Sequence, residues 1–134
     1  MSKAHLLVAD DEENMLMTLR FILEAEGYKV DTAKNGREAL NKILIAKENN
    51  DPFELIIMDI QMPYVSGLEL VDKLKEEKII MPIIAITGFK TEELTSQLAQ
   101  RGCFDYIEKP FDEDQLLGML EIALKKDEKS DNSQ

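Results

Sequence analysis

The 134-residue sequence has a single cysteine and no long hydrophobic run. One cysteine cannot form a disulfide within the chain, so the sequence gives no sign of an oxidising compartment. No apolar stretch approaches the roughly 20 residues that a transmembrane helix needs. The N-terminal residues also lack the apolar segment and cleavage site of a signal peptide. These absences predict a cytoplasmic location without membrane contact.

Positive charge is scarce, because 16 Lys and Arg face 27 Asp and Glu, for a formal net charge of −11. Such an acidic chain repels the phosphate backbone, so direct binding to nucleic acid is not expected. The charge suits divalent cations or basic partner surfaces instead. Hydrophobic residues make up 44% of the chain, enough for the core of one domain. We predict that domain over residues 3–126 and a disordered polar tail or linker over residues 127–134.

Five short apolar runs alternate with longer segments of helical period. Continuous runs such as LIIM suit parallel strands that are covered on both faces. The second and fifth runs are more polar, which indicates positions at the sheet edges. Repeated strand–helix alternation indicates βαβ crossovers and a doubly wound parallel sheet. We therefore predict a flavodoxin-like α/β fold with strand order 2-1-3-4-5. The predicted strands span residues 5–9, 29–33, 55–58, 83–87 and 105–108.

Reactive side chains stand at the carboxyl ends of four predicted strands, the edge at which such sheets bind ligands. Asp10 and Asp11 follow the first strand, and Asp59 follows the third. Thr87 ends the fourth strand, and Lys109 follows the fifth. Neighbouring strands lie about 4.8 Å apart, so the three acids should be close enough to share one cation. The flexible stem of Lys109 should cover much of the remaining gap.

Three clustered carboxylates repel one another unless a cation is present. Mg²⁺ suits them best, because it accepts a few carboxylates, keeps several waters and bridges to phosphate oxygens. A carboxylate beside Mg²⁺, an ammonium and a hydroxyl is equipped for phosphoryl transfer. Asp59 would attack in line, while the metal and Lys109 neutralise the phosphoryl oxygens and Thr87 donates a hydrogen bond.

The segments HLLVADDEEN, LIIMDIQMPYVSGLEL, IIAITG and DYIEKPF together resemble the receiver domain of two-component response regulators. The resemblance extends from about Lys3 to about Lys126. It implies that Asp59 is the phosphoacceptor for a histidine kinase, a phosphotransfer protein or a small phosphodonor. It also implies a signalling protein, which is not an enzyme beyond catalysing its own phosphorylation and dephosphorylation.

The resemblance further implies which residues hold the metal. Asp11 and Asp59 would bind Mg²⁺ directly, together with the backbone carbonyl of Gln61. Asp10 would act largely through a water.

A switch is implied as well. Lys109 would contact the phosphoryl group, and Thr87 would move toward it after phosphorylation. The ring of Tyr106 would then turn inward, and the Lys109–Pro110 peptide bond is expected to be cis. The surface of the fourth helix, fifth strand and fifth helix would change for a downstream protein, an output domain or a second copy.

Other functions fit these residues less well. An aspartate-nucleophile phosphohydrolase usually has a second Asp two residues after the nucleophile, where this chain has Gln61. A flavin carrier would need a hydroxyl- and glycine-rich loop after the first strand, where this chain is acidic. A degenerate receiver that acts only in docking would lack some of the reactive positions. Singly, the acidic run Asp10–Glu13 could simply favour a helix N-terminus, and Lys109 could be a solvated surface residue. The sequence leaves open the kinase, the output and whether the chain acts alone.

Overall fold

The computed structural model describes residues 4–62, 64–103 and 105–132, and their side chains as far as Lys125. Lys3 and Pro63, both within the resemblance, lie outside these residues. The described residues form five strands and five helices in alternation. In chain order they are β1 (His5–Ala9), α1 (Glu13–Ala25), β2 (Lys29–Ala33), α2 (Gly36–Glu48), β3 (Leu55–Asp59), α3 (Gly67–Glu76), β4 (Ile83–Thr87), α4 (Glu92–Gln100), β5 (Asp105–Glu108) and α5 (Glu113–Asn132).

The strands form one parallel sheet in the order β2-β1-β3-β4-β5, which confirms the predicted flavodoxin-like fold. The two more polar strands, β2 and β5, lie at the edges as predicted. In the register of the sheet, Ala9 pairs with Met58 and Asp59 pairs with Ile86. The carboxyl ends of the central strands therefore meet at one edge.

Side chains of the central strands alternate between two cores. Leu6 and Leu7 are adjacent on β1 and both 0% exposed, yet they belong to different core clusters. Helices α1 and α5 cover one cluster, and α2, α3 and α4 cover the other. Burial of a leucine or isoleucine side chain stabilises the fold by about 1.5–3 kcal/mol. This two-sided burial explains why the central strands are continuous apolar runs.

Capping residues start the helices soon after the strands end. The Ser66 hydroxyl accepts a hydrogen bond from the Glu69 N–H at 3.2 Å, and the Glu69 side chain accepts one from the Ser66 N–H at 3.4 Å. The Asn35 side chain accepts from the Glu38 N–H at 2.8 Å. At the C-terminal end of α1, Gly27 has a φ of 97°, a left-handed conformation that glycine often adopts just after a helix. Local signals thus set where these helices begin and end.

Helix α5 continues to Asn132, past the predicted end of the domain at residue 126. The structure differs here from the disordered tail predicted for residues 127–134, since the backbone of residues 127–132 is helical. The segment KKDEKSDN is rich in Lys, and it contains no Gly or Pro to end the helix. The domain boundary itself stays a prediction. In the described part of the chain, no helix has both the length and the apolar character needed to cross a bilayer.

The close approach of α2 to the loop after β3 makes Gly36 a test of the packing. A methyl group at Gly36 would lie 2.0 Å from the carbonyl oxygen of Val65. We expect Gly36→Ala to lower the free energy of unfolding by about 1–3 kcal/mol, because backbone would have to move. Equilibrium unfolding in urea measures this change.

Gly118 provides the matched control. It lies in α5, and an added methyl group there would meet nothing within 4 Å. Gly118→Ala should raise the free energy of unfolding by about 0.5–1 kcal/mol, because a helix-interior glycine is removed. A similar response of the two variants would contradict the packing described here.

Candidate functional site

The carboxyl edge of the sheet brings the three predicted acids together. Asp10 directly follows β1, Asp11 comes next, and Asp59 ends the neighbouring strand β3. One carboxylate oxygen from each of them lies within 4.8 Å of the other two. The predicted cluster is therefore present, and it follows from the spacing of adjacent strands.

Lys109 reaches this cluster from β5, two strands beyond β3. Its Nζ lies 3.0 Å from Asp59 Oδ2, 3.5 Å from Asp10 Oδ2 and 3.4 Å from Glu12 Oε1. At its backbone, the Lys109 N–H donates to the Thr87 carbonyl at 2.8 Å. The Lys109–Pro110 peptide bond is cis, as the resemblance implied. The long Lys109 side chain thus spans the distance between the end of β5 and Asp59 on β3, as predicted from the sequence.

Backbone N–H groups orient two of the carboxylates. Asp10 Oδ1 accepts from the Glu12 N–H at 2.9 Å, and Asp59 Oδ1 accepts from the Gln61 N–H at 3.0 Å. In each case the acceptor is held by the amide two residues further along the chain. The second oxygen, Oδ2, is the one that faces Lys109. Each carboxylate is therefore positioned by its own loop.

Burial and charge make this cluster costly. The Asp10 carboxyl group is 0% exposed, and burial raises its pKa to about 6. The charge of Asp59 acts in the same direction, while the Glu12 N–H and Lys109 oppose it. Burial lowers the pKa of Lys109, but the hydrogen bond to Asp59 and the nearby charges outweigh burial and raise it overall. The single ammonium of Lys109 thus faces three carboxylates, those of Asp10, Glu12 and Asp59.

These donors fit a hard divalent cation. Mg²⁺ prefers oxygen ligands, and the three clustered carboxylates supply them. A cation here would oppose both effects that raise the pKa of Asp10, its burial and the charge of Asp59. Gln61 lies on the loop that leads away from Asp59, and a ligand role for its backbone carbonyl stays a prediction.

The two predicted switch residues lie on adjacent strands, β4 and β5. Thr87 ends β4 and is 5% exposed. Its hydroxyl donates to the Phe89 carbonyl at 2.9 Å and accepts from the Phe89 N–H at 3.1 Å. Tyr106, on β5, pairs with Ala85 of β4 and packs, partly buried, against the core. The Thr87 hydroxyl therefore has partners in its own loop in this structure.

Two contacts around the site were not predicted from the sequence. Glu12 adds a fourth carboxylate to the surroundings of Lys109. Lys90 places its Nζ 5.3 Å from the centroid of the Tyr106 ring. Both depend on how a loop side chain folds over its neighbours, which no spacing rule reports. The acidic run after β1 was a hint for Glu12, and Lys90 had no comparable signal.

The comparisons with known proteins agree on one family. The sequence pattern of the response regulator receiver domain matches residues 6–121. The alkaline phosphatase synthesis transcriptional regulatory protein PhoP of Bacillus subtilis is 36% identical over 124 residues, or 92% of this chain and 49% of that protein. Response regulator SaeR of Staphylococcus aureus is 36% identical over 107 residues, or 80% of this chain and 44% of that protein. The chain thus spans about half the length of these curated relatives.

A solved structure agrees with this match. The CheY-like response regulator receiver domain protein from Methanospirillum hungatei JF-1 superposes with a TM-score of 0.86 and 32% identity. The superposition covers 96% of this chain and 99% of that one.

The buried Asp10 predicts a pH-dependent loss of stability when divalent cations are absent. The pKa of Asp10 rises from 3.8 to about 6 on folding, so the folded protein binds more protons between these values. Stability should therefore fall as the pH rises from about 4 to about 6. Asp10→Asn should remove this loss and raise the free energy of unfolding at pH 7 by up to about 3 kcal/mol. Urea unfolding in EDTA at pH 4 and pH 7 tests the prediction.

A control variant separates burial from a general loss of negative charge. Asp114 is exposed in the first turn of α5, so Asp114→Asn should change stability by less than about 0.5 kcal/mol at either pH. An advantage of Asp10→Asn over the wild type that is equal at both pH values would contradict the assignment to Asp10.

Proposed function

Because the chain belongs to the response regulator receiver domain family, we propose that it accepts a phosphoryl group on Asp59 and signals through a change of its surface. One observation carries this proposal. Asp59 lies among the acids at the sheet edge, with its Oδ2 only 3.0 Å from the Lys109 ammonium. A nucleophilic carboxylate, oxygen ligands for a cation and a fixed positive charge are the groups that phosphoryl transfer requires.

Asp59 acts as the nucleophile in the proposed reaction. One of its carboxylate oxygens forms a bond to phosphorus as the bond from phosphorus to the leaving group breaks. The leaving group, an imidazole of a phosphohistidine or the acetate of acetyl phosphate, keeps the electron pair. The hydrogen bond from the Gln61 N–H holds the carboxylate in one orientation. This orientation lowers the entropic cost of an in-line attack.

Lys109 and the acids support the transferred group. The Lys109 ammonium, now 3.0 Å from Asp59, is close enough to pass to the phosphoryl oxygens once Asp59 has become an acyl phosphate. Asp11 and Asp59, with the carbonyl of Gln61, would hold Mg²⁺, and Asp10 would act largely through a water. Bound there, Mg²⁺ supplies positive charge to the phosphoryl oxygens as their charge develops.

The Thr87 hydroxyl is the proposed link from the site to the surface. It now donates to the neutral carbonyl of Phe89. A phosphoryl oxygen is a charged acceptor and forms the stronger hydrogen bond. The movement of Thr87 toward it would open space for the ring of Tyr106. Helix α4 can respond, because Leu98 is its one fully buried side chain.

The proposed partners act before and after this step. A histidine kinase or phosphotransfer protein would supply the phosphoryl group. The surface of α4, β5 and α5 would control a downstream protein or an output domain, or pair with a second copy after phosphorylation. PhoP is a transcriptional regulatory protein about twice as long as this chain, which supports an attached or separate output part. A cytoplasmic location and the absence of nucleic-acid contact stay predictions from composition.

Labelling with acetyl phosphate and Mg²⁺ tests the acceptor. The wild type should gain one phosphoryl group, detected as a mass increase that is lost in base, as expected of an acyl phosphate. Asp59→Asn should abolish the increase, because the nucleophilic carboxylate is removed. Asp51→Asn, in the loop between α2 and β3, is the matched control and should be labelled normally. Stoichiometric labelling of Asp59→Asn would contradict the assignment of Asp59 as the phosphoacceptor.

Thermal unfolding tests the metal. If the acids share Mg²⁺, the ion should stabilise the fold, by about 1.4 kcal/mol at ten times its dissociation constant. Asp11→Ala should weaken Mg²⁺ binding more than Asp10→Ala, because we propose direct contact only for Asp11. The measurement is the Mg²⁺ concentration at the half-maximal shift in Tm. Equal losses in the two variants, or undiminished labelling in EDTA, would count against this arrangement.

A further inference from the structure

Lys90 covers the aromatic ring of Tyr106. It lies on the loop between β4 and α4, and its Nζ is 5.3 Å from the ring centroid. This distance is within the range of a cation–π interaction. Lys90 is exposed, whereas Tyr106 is partly buried and packs against the core that α2, α3 and α4 cover. The ammonium thus meets the solvent side of the ring.

The surroundings favour the charged form of Lys90. The neighbouring Tyr106 side chain raises the pKa of the Lys90 ammonium above its ordinary value, and the charge of Glu108 acts in the same direction. Lys90 therefore stays positively charged at any pH at which the proposed switch would operate. A cation is what the negative face of an aromatic ring attracts.

The loop that carries Lys90 is also the loop that holds Thr87. The Thr87 hydroxyl bonds to both the carbonyl and the N–H of Phe89. Phe89 precedes Lys90 in the chain, so this pair of hydrogen bonds sets the backbone from which the Lys90 side chain extends. If the hydroxyl turned to another acceptor, the support for the position of Lys90 would be lost.

We propose that Lys90 is a positioning residue that holds Tyr106 in its present place and so favours the conformation in which Thr87 is bonded to Phe89. The proposal rests on the proposed function, because it assigns Lys90 to the switch that phosphorylation of Asp59 would operate. A phosphoryl group must then work against the contact between Lys90 and Tyr106. By linkage, removal of the contact should strengthen the response to a phosphoryl mimic.

Titration with beryllofluoride in the presence of Mg²⁺ tests this role in the full chain. The amide resonance of Gly88, next to Thr87, reports the concentration that gives half of the change. Lys90→Met keeps the aliphatic stem and removes the charge, and it should lower this concentration about two- to fivefold. Lys90→Arg keeps a cation for the ring and should restore the wild-type value.

Two further variants distinguish positioning from a general effect of charge. Lys47→Met removes an exposed lysine from the last turn of α2 and should leave the titration unchanged. In a Tyr106→Leu background, Lys90→Met should have no effect, because the ring that it contacts is gone. A gain that persisted in that background would overturn the proposal.

The wild-type titration separates the two proposals. If the wild type responds and Lys90→Met is equal to it or weaker, the positioning role of Lys90 is wrong and the proposed function stands. An equal gain in Lys90→Arg would also overturn the role, because the cation would then not matter. If the wild type does not respond to beryllofluoride, both proposals fail.

Discussion

The structure depends on holding three carboxylates against their mutual repulsion at one edge of the sheet. The interaction that makes this possible is the contact of Lys109 with Asp59 and Asp10. One ammonium opposes this repulsion, while burial, and to a smaller extent the charge of Asp59, raises the pKa of Asp10. In the proposed function this negative charge would be met by a divalent cation, so the same imbalance that costs stability would support the proposed chemistry.

The core offsets this cost and keeps the site in place. Strands β1, β3 and β4 are buried along their whole length, so the ends that carry the acids cannot shift independently. Close backbone contacts add to this, since a methyl group at Gly67 would lie 2.8 Å from the Asp59 carbonyl oxygen.

The residue two positions after Asp59 bears on the type of reaction. Gln61 has no carboxylate to act as the second acid or base of a phosphohydrolase, which agrees with membership of a signalling family.

The sequence predicts the parts of this arrangement that follow from periodicity and strand order. The five strands, the edge positions of β2 and β5 and the meeting of Asp10, Asp11 and Asp59 are all confirmed. The continuation of α5 to Asn132 was not predicted. A polar segment of good helix formers fits a disordered tail as well as it fits the extension of a preceding helix. The bonding of Thr87 to Phe89 and the contact of Lys90 with Tyr106 depend on loop conformation. Neither has a fixed spacing that a sequence could display.

These loop contacts matter because they determine what a charge at Asp59 can move. A buried strand end transmits little by itself, since its packing has one arrangement. The Thr87 hydroxyl is different, because it can exchange one acceptor for another at the cost of a single hydrogen bond. Its present acceptor belongs to the loop that leads into α4, a helix with one fully buried side chain. In the proposed switch, the rigid strands would therefore present the charge, and the weakly anchored loop and helix would supply the two-state element.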